Sequence, residues 1–192
     1  MDLNFWKNKK IFITGSSGFK GSWLTFWLIK LGAKVCGYSL SNNEKNLLFN
    51  GLKIEKNSEQ IFADIRDFQS LKQSINEFKP EIVIHMAAQS LVRESFENPV
   101  HTFETNIIGT ANLLQVSKQL NTIKSILVIT SDKCYENIEK NISYKETDKM
   151  GGHDPYSASK GCAEIVASSY YRSYFKDCND AGVATARAGN VI

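Results

Sequence analysis

The sequence predicts an α/β fold, a doubly wound parallel sheet in one domain over residues 1–192, and three observations predict it. Short β-branched apolar runs alternate with longer segments of helical period along the chain. A glycine-rich turn stands directly between the first such run and the first helical segment. The fourth run has an unbroken apolar centre, as expected of a strand covered on both faces.

Residues 10–14 read as the first strand. Residues 19–31 follow as a helix that Gly32 ends, and its Phe19, Trp23, Phe26 and Trp27 predict a buried element. Residues 33–39 make the second strand, and the polar stretch 41–58 reads as a surface connection. A third strand fits 60–63, after which Phe68, Leu71, Ile75 and Phe78 recur at helical spacing until Pro80. Residues 81–88 form the fourth strand. Asn98 and Pro99 cap and open a helix reaching about residue 120, with Val100, Phe103, Ile107, Ala111 and Leu114 on one face. Residues 125–131 are the fifth strand. Asp154 and Pro155 repeat the cap before a helix to about residue 175, and 183–188 are the sixth strand. Ile192 follows directly on that strand, so pattern alone leaves two readings, a naturally short domain or a chain cut before its next element.

Composition excludes several classes. The chain has 192 residues, 42% hydrophobic and 22% charged, with a net charge of +3. Lys and Glu are interspersed, which describes a solvated surface and argues against a nucleic-acid footprint. No stretch approaches a membrane span, and the first ten residues lack an apolar signal core. Cys36, Cys134, Cys162 and Cys178 are scattered without metal-ligand spacing. Reduced thiols in a cytoplasmic protein with no metal site are the expectation.

The run Gly15-Ser16-Ser17-Gly18-Phe19-Lys20-Gly21 lies between a strand and a helix. In that context its glycines let the backbone turn tightly and approach a pyrophosphate, which the free N–H groups of the helix start then bind. A dinucleotide-binding Rossmann fold is therefore expected. The second strand ends without the acid that would grip an adenine ribose, leaving Tyr38 or Ser39 to bond a hydroxyl more weakly. No arginine stands there for a 2′-phosphate, which favours NAD over NADP.

Tyr156 and Lys160 are four residues apart near a helix start and share a face. An ammonium and the positive end of the helix dipole both favour the phenolate, making Tyr156 a candidate base. Alone, such a pair is commonplace; downstream of a dinucleotide turn, with Ser131 closing the fifth strand, it is specific. His85, in a strand, and His101, in a first helical turn, read as structural.

The glycine pattern, Ala87-Ala88-Gln89, Asn106, Tyr156/Lys160 and Arg187-Ala188-Gly189-Asn190 resemble the extended short-chain dehydrogenase/reductase family over essentially the whole chain. The resemblance implies that Ser131 joins Tyr156 and Lys160 in catalysis and that Asn106 helps hold the lysine. It implies a cofactor site made of Gly15, Ser17, Gly18, Phe19, Gly21, Ser39, Ala87, Ala88, Gln89, Asn106, Thr130, Tyr156 and Lys160, with Asp64 and Ile65 near the adenine.

Asp132-Lys133 resembles the sugar-nucleotide 4,6-dehydratase branch, where an acid and a base follow the hydroxyl residue. The dTDP-glucose and GDP-mannose enzymes carry Glu where Lys133 stands. Lys133, residues 19–23, 87–93 and 150–156 are similar to the branch acting on CDP-glucose. The resemblance thus implies NAD-dependent oxidation at C4, loss of water across C5 and C6 through Asp132 and Lys133, and reduction at C6. It implies a role in nucleotide-sugar metabolism, supplying deoxysugars such as those of lipopolysaccharide O-antigen. Family members continue past the position of Ile192 into a smaller substrate domain, implying that this C-terminal domain is missing here, and their two helices matching 99–120 and 154–175 commonly form a homodimer interface. Other sugar nucleotides (UDP-N-acetylglucosamine, dTDP-glucose, GDP-mannose) and a cofactor-binding piece without catalysis remain alternatives.

Overall fold

The computed structural model describes residues 3–40, 46–139, 142–177 and 181–191. Its strands are β1 (Lys10–Thr14), β2 (Lys34–Ser39), β3 (Glu59–Phe62), β4 (Ile82–His85), β5 (Ser125–Ser131) and β6 (Gly182–Ala188). They form one six-stranded sheet in the order β3-β2-β1-β4-β5-β6, and every pairing is parallel. Parallel neighbours need crossovers, and the helical segments supply them. The helices are α1 (Phe19–Lys30), α2 (Leu47–Gly51), α3 (Ile54–Asn57), α4 (Phe68–Phe78), α5 (Val92–Glu97), α6 (Pro99–Phe103), α7 (Gly109–Ser117) and α8 (Pro155–Tyr170).

Side chains alternate along a strand, so β1 feeds both faces of the sheet. Phe12 packs with Tyr38, Leu71, Val83, Leu113, Leu114, Ile126 and Phe175. Ile11 and Ile13 pack on the other face with Leu28, Val35 and Ile84. The strand order reverses between β1 and β4, which opens a crevice beyond their carboxyl ends. Asp67 accepts the Gln69 and Ser70 N–H groups at the start of α4, and Asp154 accepts that of Ser157 in α8. These caps fix where each helix begins.

Four expectations need correcting. In α1 the aromatic stripe faces outward: Phe19, Trp23 and Trp27 are exposed, while Gly21, Ser22, Thr25 and Leu28 are buried. Small residues at the first three of those positions let the helix lie close on the sheet, so the aromatic ones are left outside. Part of the stretch expected as a connection folds into α2 and α3, anchored by fully buried Phe49 and Ile54; residues 41–45 of it lie outside the described residues. The helix expected over 99–120 is preceded by α5, and a π-helical turn at Glu104–Ile108 separates α6 from α7. Thr102, Asn106 and Thr110 point inward and Val100 and Phe103 are exposed, whereas Leu114 is buried as expected. A π turn shifts helical phase, so one apolar face could not be drawn through both segments.

Cys36, Cys134 and Cys162 are free thiols; Cys178 lies outside the described residues. No helix among the described residues is long and apolar enough to cross a membrane.

Candidate active site

Beyond the carboxyl ends of β1 and β4 lies a cavity of about 500 Å³. The turn after β1 forms one wall with Gly15, Ser17, Gly18, Phe19, Lys20 and Gly21. Gly15 has φ +74°, and a Cβ there would lie 2.7 Å from the Ala87 nitrogen. A Cβ on Gly21 would overlap the Gly15 carbonyl. Both glycines are therefore required for this turn to sit against the loop after β4. Ser39, Asp64, Ile65, Ala87, Ala88, Gln89, Thr130, Tyr156 and Lys160 also line the cavity, as does His101. Asn106 does not.

The loop after β4 is held by a buried hydrogen-bonded chain. Thr14 Oγ1 accepts the Met86 and Ala87 N–H groups and meets His85 Nδ1 at 2.7 Å. His85 Nε2 meets Thr110 Oγ1 at 3.0 Å, and that hydroxyl donates to the Asn106 carbonyl. Thr110 Oγ1 must therefore accept from Nε2–H, and Nδ1 accepts from Thr14. Burial pushes the His85 pKa down to about 3, with the Lys160 charge adding to it. A neutral imidazole in a fixed tautomer is the structural role that its strand position predicts.

Asn106 receives the Gln89 N–H at 2.8 Å and donates to Gln89 O and Ser159 Oγ. It makes no hydrogen bond to Lys160 in this structure. It joins the Gln89 loop to α8 instead. Tyr38 is fully buried, and its hydroxyl donates to the Asp64 carbonyl at 3.0 Å; Tyr38 lines the cavity beside Ser39. The Asp64 carboxylate is gripped by Arg66 at 2.7 Å, and that bond holds its carboxyl below the usual range against the opposing effect of burial.

Tyr156 lies in the first turn of α8, and the Lys160 ammonium sits 5.9 Å from its ring centroid. Lys160 is 7% exposed, and among the described residues no carboxylate or hydrogen-bond acceptor pairs with it. Burial, then the charge of Lys20, lowers its pKa to about 8. A buried cation without a partner in a cavity fits a ligand carrying hydroxyl or phosphate oxygens, and so fits a dinucleotide.

That cost is measurable. Lys160→Met is expected to stabilise the ligand-free chain by up to about 3 kcal/mol near neutral pH. The folded lysine releases its proton above about pH 8, whereas an unfolded one keeps it to about 10.4. The unfolded state binds more protons in that window, so wild-type stability rises with pH there and the variant's does not. Denaturant titrations at both ends of the window check this; a variant less stable than wild type near neutrality defeats it.

Ser131 is buried at the end of β5 and donates to Asp132 Oδ1 at 3.0 Å. Asp132 and Lys133 line not the first cavity but a neighbouring one of about 790 Å³, with Tyr135, Tyr144, His153 and Arg187. Lys133 Nζ contacts Asp132 Oδ2 at 3.0 Å, with both side chains about half exposed. Burial raises the Asp132 pKa, but the bonds from Lys133 and Ser131 outweigh it and hold the carboxyl below its usual value. The two side chains thus meet as a half-exposed ion pair.

Sequence reasoning missed Glu164. It lies one turn after Lys160 on α8 and is 3% exposed. Its carboxylate accepts from Thr130, from Thr185 at 2.9 Å and from Arg187 at 3.0 Å. An acid four residues past the lysine was the available signal. Also missed was Glu136, which meets His153 Nε2 at 2.9 Å. Backbone bonds from Gly151 to Cys134 and from Glu136 to Lys149 stitch the Asp132–Cys134 turn to the segment leading into α8.

Residues 12–179 match the GDP-mannose 4,6 dehydratase family. The chain is 52% identical to a CDP-glucose 4,6-dehydratase of Salmonella typhimurium, over all of this chain and 55% of that relative. Among solved structures, a dTDP-glucose 4,6-dehydratase from Streptomyces venezuelae with NAD bound superposes with a TM-score of 0.78 at 25% identity, covering 92% of this chain and 55% of that one. An epimerase from Methanothermobacter thermautotrophicus gives 0.83 at 25% identity, covering 96% and 52%. The chain spans about half the length of the curated relatives it matches.

Proposed function

The chain belongs to the GDP-mannose 4,6 dehydratase family, and on that premise we propose that it carries the NAD-binding and catalytic part of a 4,6-dehydratase acting on CDP-glucose. The observation that carries this reading is the adjacency of two groups of residues. Tyr156 and the buried Lys160 share a cavity with the glycine turn, while Asp132 and Lys133 follow directly on Thr130–Ser131 into the neighbouring cavity. Identity of 52% to a CDP-glucose 4,6-dehydratase supports the choice of substrate, and the NAD-bound dTDP-glucose relative supports the cofactor.

The glycine turn and the start of α1 would hold the cofactor diphosphate, Asp64 and Ile65 the adenine end, and Tyr156 with Lys160 the nicotinamide end. NAD, when bound, supplies the oxidant for C4 and the reductant for C6. Tyr156 removes the C4 hydroxyl proton, favoured by the Lys160 charge and the α8 dipole. Lys133 then takes the C5 proton while Asp132 gives one to the departing C6 hydroxyl. The observed pair needs no extra proton for this, only transfer from Lys133 to Asp132 across 3.0 Å. In water that transfer is uphill, because an ammonium is a far weaker acid than a carboxylic acid. A substrate that covers the open cavity lowers the cost, because exclusion of water destabilises the charged pair.

Incubating the chain with NAD and CDP-glucose and weighing the sugar nucleotide by mass spectrometry tests the reading. Loss of one water is expected. No loss while NAD still binds would make this chain a cofactor-binding module, and loss only from another sugar nucleotide would move the substrate.

The outward apolar residues of α6, the π turn and α8 support a homodimer. Val100, Ile108 and Ile165 are 66%, 52% and 60% exposed, on elements that pack on one another. Ile165→Glu with Val100→Glu is expected to convert a sedimenting dimer into a monomer without loss of fold. A wild-type chain that sediments as a monomer would reject the dimer.

A further inference from the structure

Lys20 is the charged residue of the glycine turn, and the reading above gives its side chain no role. It lies in the first turn of α1, and its Nζ donates to the Gly189 carbonyl at 3.2 Å. Helix α1 follows β1 and Gly189 follows β6, with β4 and β5 between those strands in the sheet. The side chain therefore strings a positive charge across the mouth of the crevice, over the region where Tyr156 and Lys160 stand.

The charges around that cavity do not balance. Lys20 and Lys160 both line it, and no carboxylate pairs with either among the described residues. The acid in the lining, Asp64, is already held by Arg66. The two ammonium groups are close enough to act on one another, since the charge of Lys20 is among the causes that lower the Lys160 pKa. Like charges facing one cavity call for an anion between them, and a carbonyl oxygen is a weak resting partner for an ammonium. A diphosphate carries two negative charges, and the N–H groups at the start of the twelve-residue helix α1 already favour one at this place.

We propose that Lys20 is a diphosphate-binding residue that leaves the Gly189 carbonyl to contact the diphosphate of a bound nucleotide, an inference resting on the nucleotide site proposed above. Two diphosphates could reach it, that of the dinucleotide lying on the turn and that of the sugar nucleotide entering near the end of β6. The chemistry is the same in both, and titration separates them.

Calorimetric titration of the wild-type chain, Lys20→Met, Lys20→Arg and the surface control Lys30→Met with NAD, with CDP and with adenosine is the test. Lys20→Met should weaken a diphosphate ligand by about tenfold or more, as loss of a charge-assisted bond does. It should also flatten the salt dependence of binding, leave adenosine unaffected, and be largely rescued by Lys20→Arg. A loss confined to NAD assigns Lys20 to the cofactor, and a loss confined to CDP assigns it to the substrate. NAD and CDP affinities both within twofold of wild type would overturn the proposal. A wild-type chain that binds neither ligand would reject the nucleotide site itself, and Lys20 with it.

Discussion

Replacing Lys133 by Met is expected to leave NAD binding intact and to lower dehydration of CDP-glucose by about 10²–10⁴-fold, the usual contribution of a positioned base. The side chain lines the open second cavity and touches Asp132 and solvent, and no core residue depends on it. The fold and the first cavity should therefore survive the change. Running the reaction in heavy water separates the two roles. Without Lys133, solvent deuterium should fail to enter C5, because nothing removes that proton. Asp132→Asn should block departure of the C6 hydroxyl and, with the carboxylate that takes the Lys133 proton gone, permit exchange at C5 only insofar as that proton passes to solvent. Dehydration by Lys133→Met at the wild-type rate would remove Lys133 from the mechanism and return the pair to an ordinary surface ion pair.

Arg187→Met is expected to cost about 3–5 kcal/mol of stability, because it strands a buried carboxylate. Glu164 and Arg187 side chains are 4% and 13% exposed and meet at 3.0 Å. Arg187 also donates to the Tyr135 hydroxyl and the Glu146 carbonyl, tying β6 to the loop that carries Asp132 and Lys133. For a chain of this size the melting temperature should fall by roughly ten degrees or more. Glu164→Gln combined with Arg187→Met should recover much of the loss, since the uncompensated charge is gone. Burial works against the Glu164 carboxylate, but the bonds from Arg187, Thr130 and Thr185 prevail and hold its pKa below the usual value. The stabilisation is therefore present above the unfolded carboxyl's pKa of about 4.3 and is lost as pH falls through the folded value. A single variant melting within a degree or two of wild type would show that the pair contributes nothing net.

Much of the fold was legible in the sequence because its signals are local. The first strand, β1, was read at its observed bounds from one β-branched run, and β5 likewise. Asp154 and Pro155 marked the start of α8 because a cap and a first-turn proline act on the next few N–H groups alone. The glycine turn was legible for a similar reason, since its two demanding positions lie six residues apart.

What failed in the sequence depended on distant partners. Phe19, Trp23 and Trp27 read as core because hydrophobicity reports a preference for burial, and only packing decides which face finds a neighbour. In α1 the small residues won the contact with the sheet. The π turn at Glu104–Ile108 broke the expected apolar face, leaving Val100 and Phe103 outside and Leu114 inside, and Thr102, Asn106 and Thr110 turned inward because Gln89, Ser159 and His85 bond them in turn.

By itself, then, the sequence determined the alternation of strands and helices, the turn between β1 and α1, and the spacing of Tyr156 and Lys160, all of which short-range backbone chemistry sets. The tertiary structure alone decided that Lys160 is a buried cation with no carboxylate paired to it among the described residues, that Lys20 reaches Gly189, and that Asp132 and Lys133 open into a second cavity. Burial and charge balance are sums over residues far apart in the chain, and they take a value only once the sheet has brought those residues together.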